Sequence, residues 1–500
     1  MKNESTREKF TKNSFWSLSS SIFNRIGTLI FTIIIVRILN PDGYGIYSLV
    51  LSIAMIFYTF SDLGINTTFQ RYTAEALVQD RKKIAAYHRY LLKVKLFLSL
   101  ITSILFLILA YPISMYFFKN TRLFLPMIVA AFYIFVLSFE GFYSQVFYSI
   151  EKVKYLTAKE FLNQSLRILL VISVFFFVAS NYHVVGIFVT FILISLILIL
   201  YSTFFIKKLL PTLFFKSKEK VDKRRIKRFI GYLVFASISG VFFSYIDSVM
   251  LGFFLLPEYV GFYRAAFSLI AGIAGLLAFP NVILLPIFTK IKKYKIEVLF
   301  NEILRYLLIL TIPAAFGLAV LGNYFLALLY GDQYLNATLP LYFLSFLMIP
   351  MIAMGSILPL FTAKEKPKTL AELIILTSIL NILLNFVFIK VLLSISPLWA
   401  TAGAAIATLL TWIFYLIAAS VFAKKQLKVV ISFKPFIKPL IASIVMAAAI
   451  IYANTLIQDL TLILGIGEVV LGVIVYFTLM LLIKGFKKSD LDLLKSILKK

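Results

Sequence analysis

Long apolar runs follow one another along almost the whole chain, each closed by a short polar or charged cluster. A helix of roughly 20 apolar residues crosses a bilayer. The runs therefore predict crossings at 14–38, 44–69, 94–112, 122–148, 161–180 and 184–206, and after a basic stretch at 229–256, 260–288, 303–322, 338–362, 369–393 and 399–423. Two more, at 436–453 and 460–483, bring the expected number to about fourteen. The first run is long, lacks a small-residue cleavage site and is followed at once by another, which predicts a retained helix and not a signal peptide.

Composition removes whole classes of function. Of 500 residues, 61% are hydrophobic, far above the globular norm, so the chain is expected to be an all-α integral membrane protein with no sizeable soluble domain. No cysteine is present, and the two histidines, His88 and His183, lie far apart in sequence. Disulfides and thiolate chemistry are excluded, and neither a metal centre nor any other cofactor is expected. The longest connection on the outer side, 323–337, offers Asp332 and little else for catalysis, which points away from an enzyme and toward a transporter.

The net charge of +28 is a matter of placement. Alternate connections and both termini hold 43 of the 50 Lys and Arg, whereas the opposite loops hold only Lys119 and Arg122. The positive-inside rule then predicts a multi-pass protein of the cell membrane with N- and C-termini cytoplasmic. The charge is topology signal, with membrane lipids and not nucleic acid as neighbours. The basic last stretch, Ser489 to Lys500, has the spacing of an amphipathic helix on the inner surface. His88 in a cytoplasmic loop and His183 in an outer turn read as surface residues.

An internal repeat organises the chain. Pro41-Asp42-Gly43-Tyr44-Gly45-Ile46-Tyr47 recurs 216 residues later as Pro257-Glu258-Tyr259-Val260-Gly261-Phe262-Tyr263. Leu125-Pro126 matches Leu339-Pro340 at a shift of 214, as does the segment from Phe147 to Lys154 with that from Phe361 to Lys368. Six crossings separate the copies, an even number, so the halves share one topology about an axis along the membrane normal, with the substrate path between them. The predicted domains are an N-lobe (1–206), a basic cytoplasmic linker (207–228), a C-lobe (229–423) and a final pair of crossings with a basic tail (424–500).

Polar residues inside the crossings are costly and mark function. Ser14, Ser17, Ser21, Arg25, Thr28 and Thr32 recur at steps of three and four, making one face of the first crossing polar. Ser48, Ser52, Met55, Thr59, Asp62 and Asn66 do the same in the second, and Ser237, Ser244, Asp247 and Ser248 in the seventh. These three are expected to line one cavity, to which Glu140, Asn163, Arg167, Asn381 and Asn385 contribute. Asp62, Asp247 and Glu140 fit either coupling to an ion or neutralisation of an arginine. In the competing structural reading, Arg25 and Arg167 pair with those acids to knit helices together or reach to the interface. Arg37, Arg264 and Lys390, at the outer ends of crossings, read as interfacial anchors.

The stretch Val36-Arg37-Ile38-Leu39-Asn40-Pro41-Asp42-Gly43-Tyr44-Gly45-Ile46-Tyr47 is similar to a family motif, R-x-L-G-P-x-x-Y-G-x-Y. Asp62-Leu63-Gly64, Arg71-Tyr72 and Asp247 with Leu251-Gly252 extend the likeness. On these residues, and over nearly its whole length, the chain resembles the polysaccharide-biosynthesis branch of the MOP superfamily, the O-antigen-type flippases related to MATE exporters and the lipid II flippase. Arg37, Pro41, Tyr44, Gly45, Asp62 and Gly64 are the motif residues, and Asn40 stands where the family usually has glycine.

The resemblance implies two six-helix lobes in a V, a cationic central cavity and transfer of a polyprenyl-diphosphate-linked oligosaccharide from the inner to the outer leaflet. Partners would be the glycosyltransferases or polymerase of the same pathway. Under it, Arg25 and Arg167 hold the diphosphate, because a planar, permanently charged guanidinium recognises phosphate by paired hydrogen bonds. Thr28, Asn163, Asn381 and Asn385 are positioned for sugar hydroxyls. The runner-up is a MATE-like cation-coupled antiporter for drugs or metabolites, whose cavity would be dominated by acids; here acids and arginines are balanced.

Overall fold

The computed structural model describes residues 6–217, 219, 221–278, 284, 288, 293–364, 367–456 and 462–486. The expected surface helix over Ser489 to Lys500 lies outside the described residues, as do the side chains of Ser14 and Ser237. Among the described residues twelve segments are long and apolar enough to cross a membrane. The first, Phe15–Gln79, is 65 residues long and accounts for two crossings, and α7 supplies the remaining one, so the architecture is a bundle of about fourteen spans.

The first helix, α1 (Thr6–Asp62), covers both initial crossings and is kinked at Asn40, whose φ of 58° and ψ of 164° leave the helical region. Pro41 follows, a residue suited to starting a helix because it has no N–H to satisfy. The second crossing differs from the expected unbroken 44–69. It stops at Asp62, turns through Leu63 (φ 44°) and Gly64 (φ 80°), and resumes as α2 (Ile65–Gln79). Glycine tolerates that left-handed backbone, and a Cβ there would also press on the Leu233 side chain at 2.5 Å.

The helices α3 (Lys83–Pro112), α4 (Phe124–Ser149), α5 (Val153–Phe177), α6 (His183–Leu209) and α7 (Lys223–Phe254) complete the first half. Then come α8 (Pro257–Leu277), α9 (Lys293–Val320), the short α10 (Gly322–Tyr330), α11 (Thr338–Ala363), α12 (Pro367–Leu393) and α13 (Pro397–Phe422), and finally α14 (Lys434–Leu456) and α15 (Leu462–Leu482). The connection expected as the longest outer loop is therefore mostly the helix α10, ended by Gly331 at φ 96°.

Packing divides the chain into two units, residues 1–264 with 371–401 and residues 265–370 with 402–500. In the first, α3 shows how such a helix is read. Lys95, Ser99, Thr102 and Ser103 are buried, while Phe97, Ile101, Ile104 and Ile108 are exposed. That inverts the soluble pattern, as a lipid surround requires, because lipid tails reward no segregation of Leu or Phe and penalise polar groups. At one end of this unit Phe69, Tyr72, Phe142 and Phe147 form an aromatic core. His88 belongs to it: α3 begins at Lys83, well before the expected crossing, and carries His88 inward to 7% exposure among Phe69, Phe142 and Phe214. The reading of His88 as a surface residue is thus corrected. His183 is half-buried at the start of α6, bonded to the Val178 carbonyl (3.0 Å).

In the second unit, Ile309, Met446, Ile450, Tyr476 and Met480 form a core of α9, α14 and α15. The Tyr476 hydroxyl donates to the Ile309 carbonyl at 2.7 Å. Gly472 of α15 fits close against Ile450, the small-residue contact by which membrane helices pack.

Candidate functional site

The polar face of α1 meets α5 in a ladder. Asn24 Nδ2 donates to Glu160 (3.0 Å), Gln164 Nε2 donates to the Thr28 hydroxyl (3.3 Å), and one turn on the Arg167 guanidinium lies over the Phe31 ring at 3.8 Å. Partners advance in the same direction on both helices, so α1 and α5 run parallel. Gly27 makes the middle rung possible, since a Cβ there would meet Gln164 Cγ at 2.7 Å. Arg25 is half-buried, its Nε donating to Ser21 at 3.2 Å. Asn163 is half-buried on the face that carries Arg167. Arg167 also approaches the Phe191 ring (5.0 Å) and the Tyr47 hydroxyl.

The acids are engaged elsewhere. Asp62 accepts a hydrogen bond from the Lys95 ammonium at 2.8 Å and from the Asn66 N–H at 3.2 Å. Glu140 faces Lys159 at 2.8 Å and accepts from Ser195 at 2.8 Å. Asp247 accepts from the Tyr263 hydroxyl at 2.7 Å and from Asn385 Nδ2 at 2.8 Å. Among the described residues neither Arg25 nor Arg167 forms an ion pair with an acid. Ser48, Ser52, Thr59 and Asn66 of the second crossing are buried, with Ser52 and Thr59 bonded back to their own helix.

Two clusters correspond under the repeat. In the first half Phe31, Tyr47 and Arg167 come together; their counterparts are Asp247 and Tyr263 (shift 216) and Asn381 (shift 214). Asp247 and Tyr263 are in contact, and Asn385, one turn beyond Asn381, completes the group. The same framework thus carries a cation in one half and an anion in the other. Asn381 is fully buried, and Asn385 Nδ2 also donates to its carbonyl at 3.0 Å.

The motif residues shape the turn between the first two crossings. Arg37 is exposed, Tyr44 is buried and stacked on Tyr47 (5.9 Å), and Pro41 and Gly45 pack against the second copy. Arg122 grips Asp42 with two bonds, at 2.6 and 2.8 Å.

Lys95 and Lys159, which the charge count along the sequence assigns to the basic connections, are both buried (0% and 4% exposed). The signal was present: Lys159, Asn163 and Arg167 recur at steps of four, and Lys95 opens the polar face continued by Ser99 and Ser103.

Known proteins resemble the chain in both sequence and fold. The profile of the family described as polysaccharide biosynthesis protein matches residues 10–292, and that of the lipid II flippase MurJ matches 269–472. A probable low-salt glycan biosynthesis flippase, Agl15 of Haloferax volcanii, is 23% identical over 278 residues, 54% of this chain and 56% of that protein; the match spans little more than half the relative's length. Among solved structures, the lipid II flippase MurJ in an inward closed conformation superposes with a TM-score of 0.73 at 15% identity, covering 92% of this chain and 96% of that one. An inward-facing multidrug resistance MATE family transporter of the MOP superfamily gives 0.63 at 13% identity, over 83% and 99%. These likenesses establish the fold of a multi-pass membrane protein, and with more than half of its residues matched by the family's profile the chain belongs to the polysaccharide biosynthesis protein family.

Proposed function

We propose that the protein is a flippase carrying a polyprenyl-diphosphate-linked oligosaccharide from the cytoplasmic to the outer leaflet of the cell membrane. The lobes 1–206 and 229–423 alternate access around a central site, joined by the basic linker 207–228, and 424–500 adds the last two crossings. The observation that carries this reading is the distribution of charge. Asp62 and Glu140 are each neutralised by a lysine at 2.8 Å, whereas Arg25 and Arg167 have no acidic partner among the described residues. Two guanidiniums on half-buried helix faces without counter-ions favour an anionic ligand, and a diphosphate fits their planar donors. The printed names of the sequence relatives, a lipid II flippase and a glycan biosynthesis flippase, point the same way.

Thr28, Asn163, Asn381 and Asn385 would meet sugar hydroxyls, while the lipid tail stays in the bilayer. Asp247, whose carboxylate accepts from Tyr263 and Asn385, would couple a proton or sodium ion. The chain moves its substrate without covalent chemistry and is no enzyme. Both termini face the cytoplasm, where the basic loops lie, and the glycosyltransferases or polymerase of the pathway supply and consume its cargo.

The test is glycan display in cells whose own flippase is deleted. Arg25→Ala removes a charge-assisted contact worth about 1.5 to 3 kcal/mol and is expected to cut display at least about tenfold; Arg25→Lys keeps charge without the fork and restores it only partly. Unchanged display by a normally expressed Arg25→Ala protein overturns the assignment of this residue to the substrate.

A further inference from the structure

At the start of α9 and α14 the second unit holds a cavity that none of the residues assigned to the substrate lines. The chain before α14 is strapped to α9: Asn301 Nδ2 donates to the Val430 carbonyl (2.9 Å), Asn301 Oδ1 accepts from the Ser432 N–H (2.8 Å), and Glu297 accepts from the Val430 N–H (3.0 Å). The strap sets the first turn of α14 beside α9 and leaves a cavity of about 610 Å³. Its wall carries Arg305, Lys434, Lys438 and Lys484, with Glu302 in opposition. Arg305 is buried at 6% exposure, and Lys438 Nζ donates to the Lys484 carbonyl at 2.7 Å, linking α14 to the end of α15. The N-terminal turn of α14 adds the positive end of its dipole. One wall residue, Ile309, is shared with an adjoining apolar cavity of about 320 Å³, lined by Pro313, Met446 and Tyr476 among others.

Four cations against one carboxylate select an anion, and the apolar slot beside them selects one attached to a hydrocarbon chain. Basic pockets between membrane helices at the polar boundary hold phosphate headgroups in this way. We propose that this cavity binds the phosphate headgroup of an anionic glycerophospholipid of the surrounding membrane, with an acyl chain running past Ile309 into the apolar cavity. The bound lipid bridges α9, α14 and α15 and stabilises the unit they form. The site is independent of the flippase reading and stands or falls by itself.

The test uses the full-length purified protein in neutral detergent, with thermal unfolding followed as lipid is added. Phosphatidylglycerol is expected to raise the midpoint saturably, while phosphatidylcholine and inorganic phosphate do not. Lys434→Gln with Lys484→Gln, which leaves the Lys438 bond in place, should weaken the apparent affinity about thirtyfold, the loss expected for two charges at a membrane surface. Arg25→Ala should keep it, and so should Lys207→Gln with Lys208→Gln at the end of α6. The proposal is overturned if phosphatidylcholine stabilises equally, if inorganic phosphate reproduces the effect, if the Lys434/Lys484 variant responds as wild type, or if the Lys207/Lys208 variant loses the response as well.

Discussion

Gly45 and Gly261 face each other across the two copies of one motif: a Cβ on Gly45 would overlap the Pro257 carbonyl, and one on Gly261 would overlap the Pro41 carbonyl. Each glycine thus meets the proline that precedes its own counterpart in the repeat. Reciprocal contact of this kind, i against j and j against i, is what a two-fold axis between equivalent segments produces. The repeat read from sequence has a local structural consequence here, and it explains why glycine occupies both positions: only a residue without a Cβ lets the two backbones approach so closely.

Gly45→Ala and Gly261→Ala should each destabilise the protein by about 1 to 3 kcal/mol, the cost of forcing extra volume into a packed contact. The double variant should cost less than the two together, because one separation of the backbones relieves both overlaps. Gly231→Ala, where a Cβ would have nothing within 4 Å, is the control and should be near neutral. Thermal melts of the purified proteins measure all four.

At the kink of α1, Asn40 holds φ 58° and ψ 164°, a region nearly confined to glycine. Asn40→Gly is therefore expected to stabilise the protein by about 1 kcal/mol, and Asn40→Val to destabilise it by more than that. A lower melting temperature for Asn40→Gly than for wild type would refute the strained geometry.

Removing one partner of a buried ion pair costs about 3 to 5 kcal/mol, because the other charge stays buried and uncompensated. Lys95 is fully buried against Asp62, so Lys95→Met should lower expression and thermal stability sharply. Combining it with Asp62→Asn should recover most of the loss, which denaturant or thermal melts can read as a coupling energy. Additive losses in the double variant would mean that the two side chains do not depend on each other.

The crossings were legible because the bilayer imposes a length and an apolar character that any window of sequence displays. Arg25, Arg167 and the three acids were legible as well, since charge within an apolar run stands out. What could not be read was which charge meets which. Lys95 finds Asp62 across 33 residues, and Lys159 finds Glu140 on another helix. A lysine near the end of an apolar run looks the same in sequence whether it lies in water or in a buried pair. His88 was misplaced for the same reason, because the start of α3 at Lys83 is a matter of tertiary packing and not of hydropathy. The break at Leu63 and Gly64 was hidden in an apolar stretch, although the glycine of the Asp62-Leu63-Gly64 motif was in plain view.

Asp247 separates a flippase from an antiporter of cations. An antiporter needs an ionisable carboxylate that the cation can reach, whereas a flippase for anions uses its acid only to couple an ion or to balance charge. Asp247→Asn is nearly isosteric: its amide oxygen can still accept from the Tyr263 hydroxyl that now donates to Asp247 at 2.7 Å, and the change costs only the bond from Asn385 Nδ2 at 2.8 Å. The fold should therefore survive the change. With ion coupling at Asp247, the variant is expected to lower glycan display about tenfold, within the usual range of coupling energies. Accumulation of cationic dyes in a pump-deficient host should be the same with wild type, variant or empty vector. If the wild type instead lowered dye accumulation, and Asp247→Asn abolished that effect while glycan display stayed intact, the acid would be serving a cationic substrate and the antiporter reading would replace the flippase.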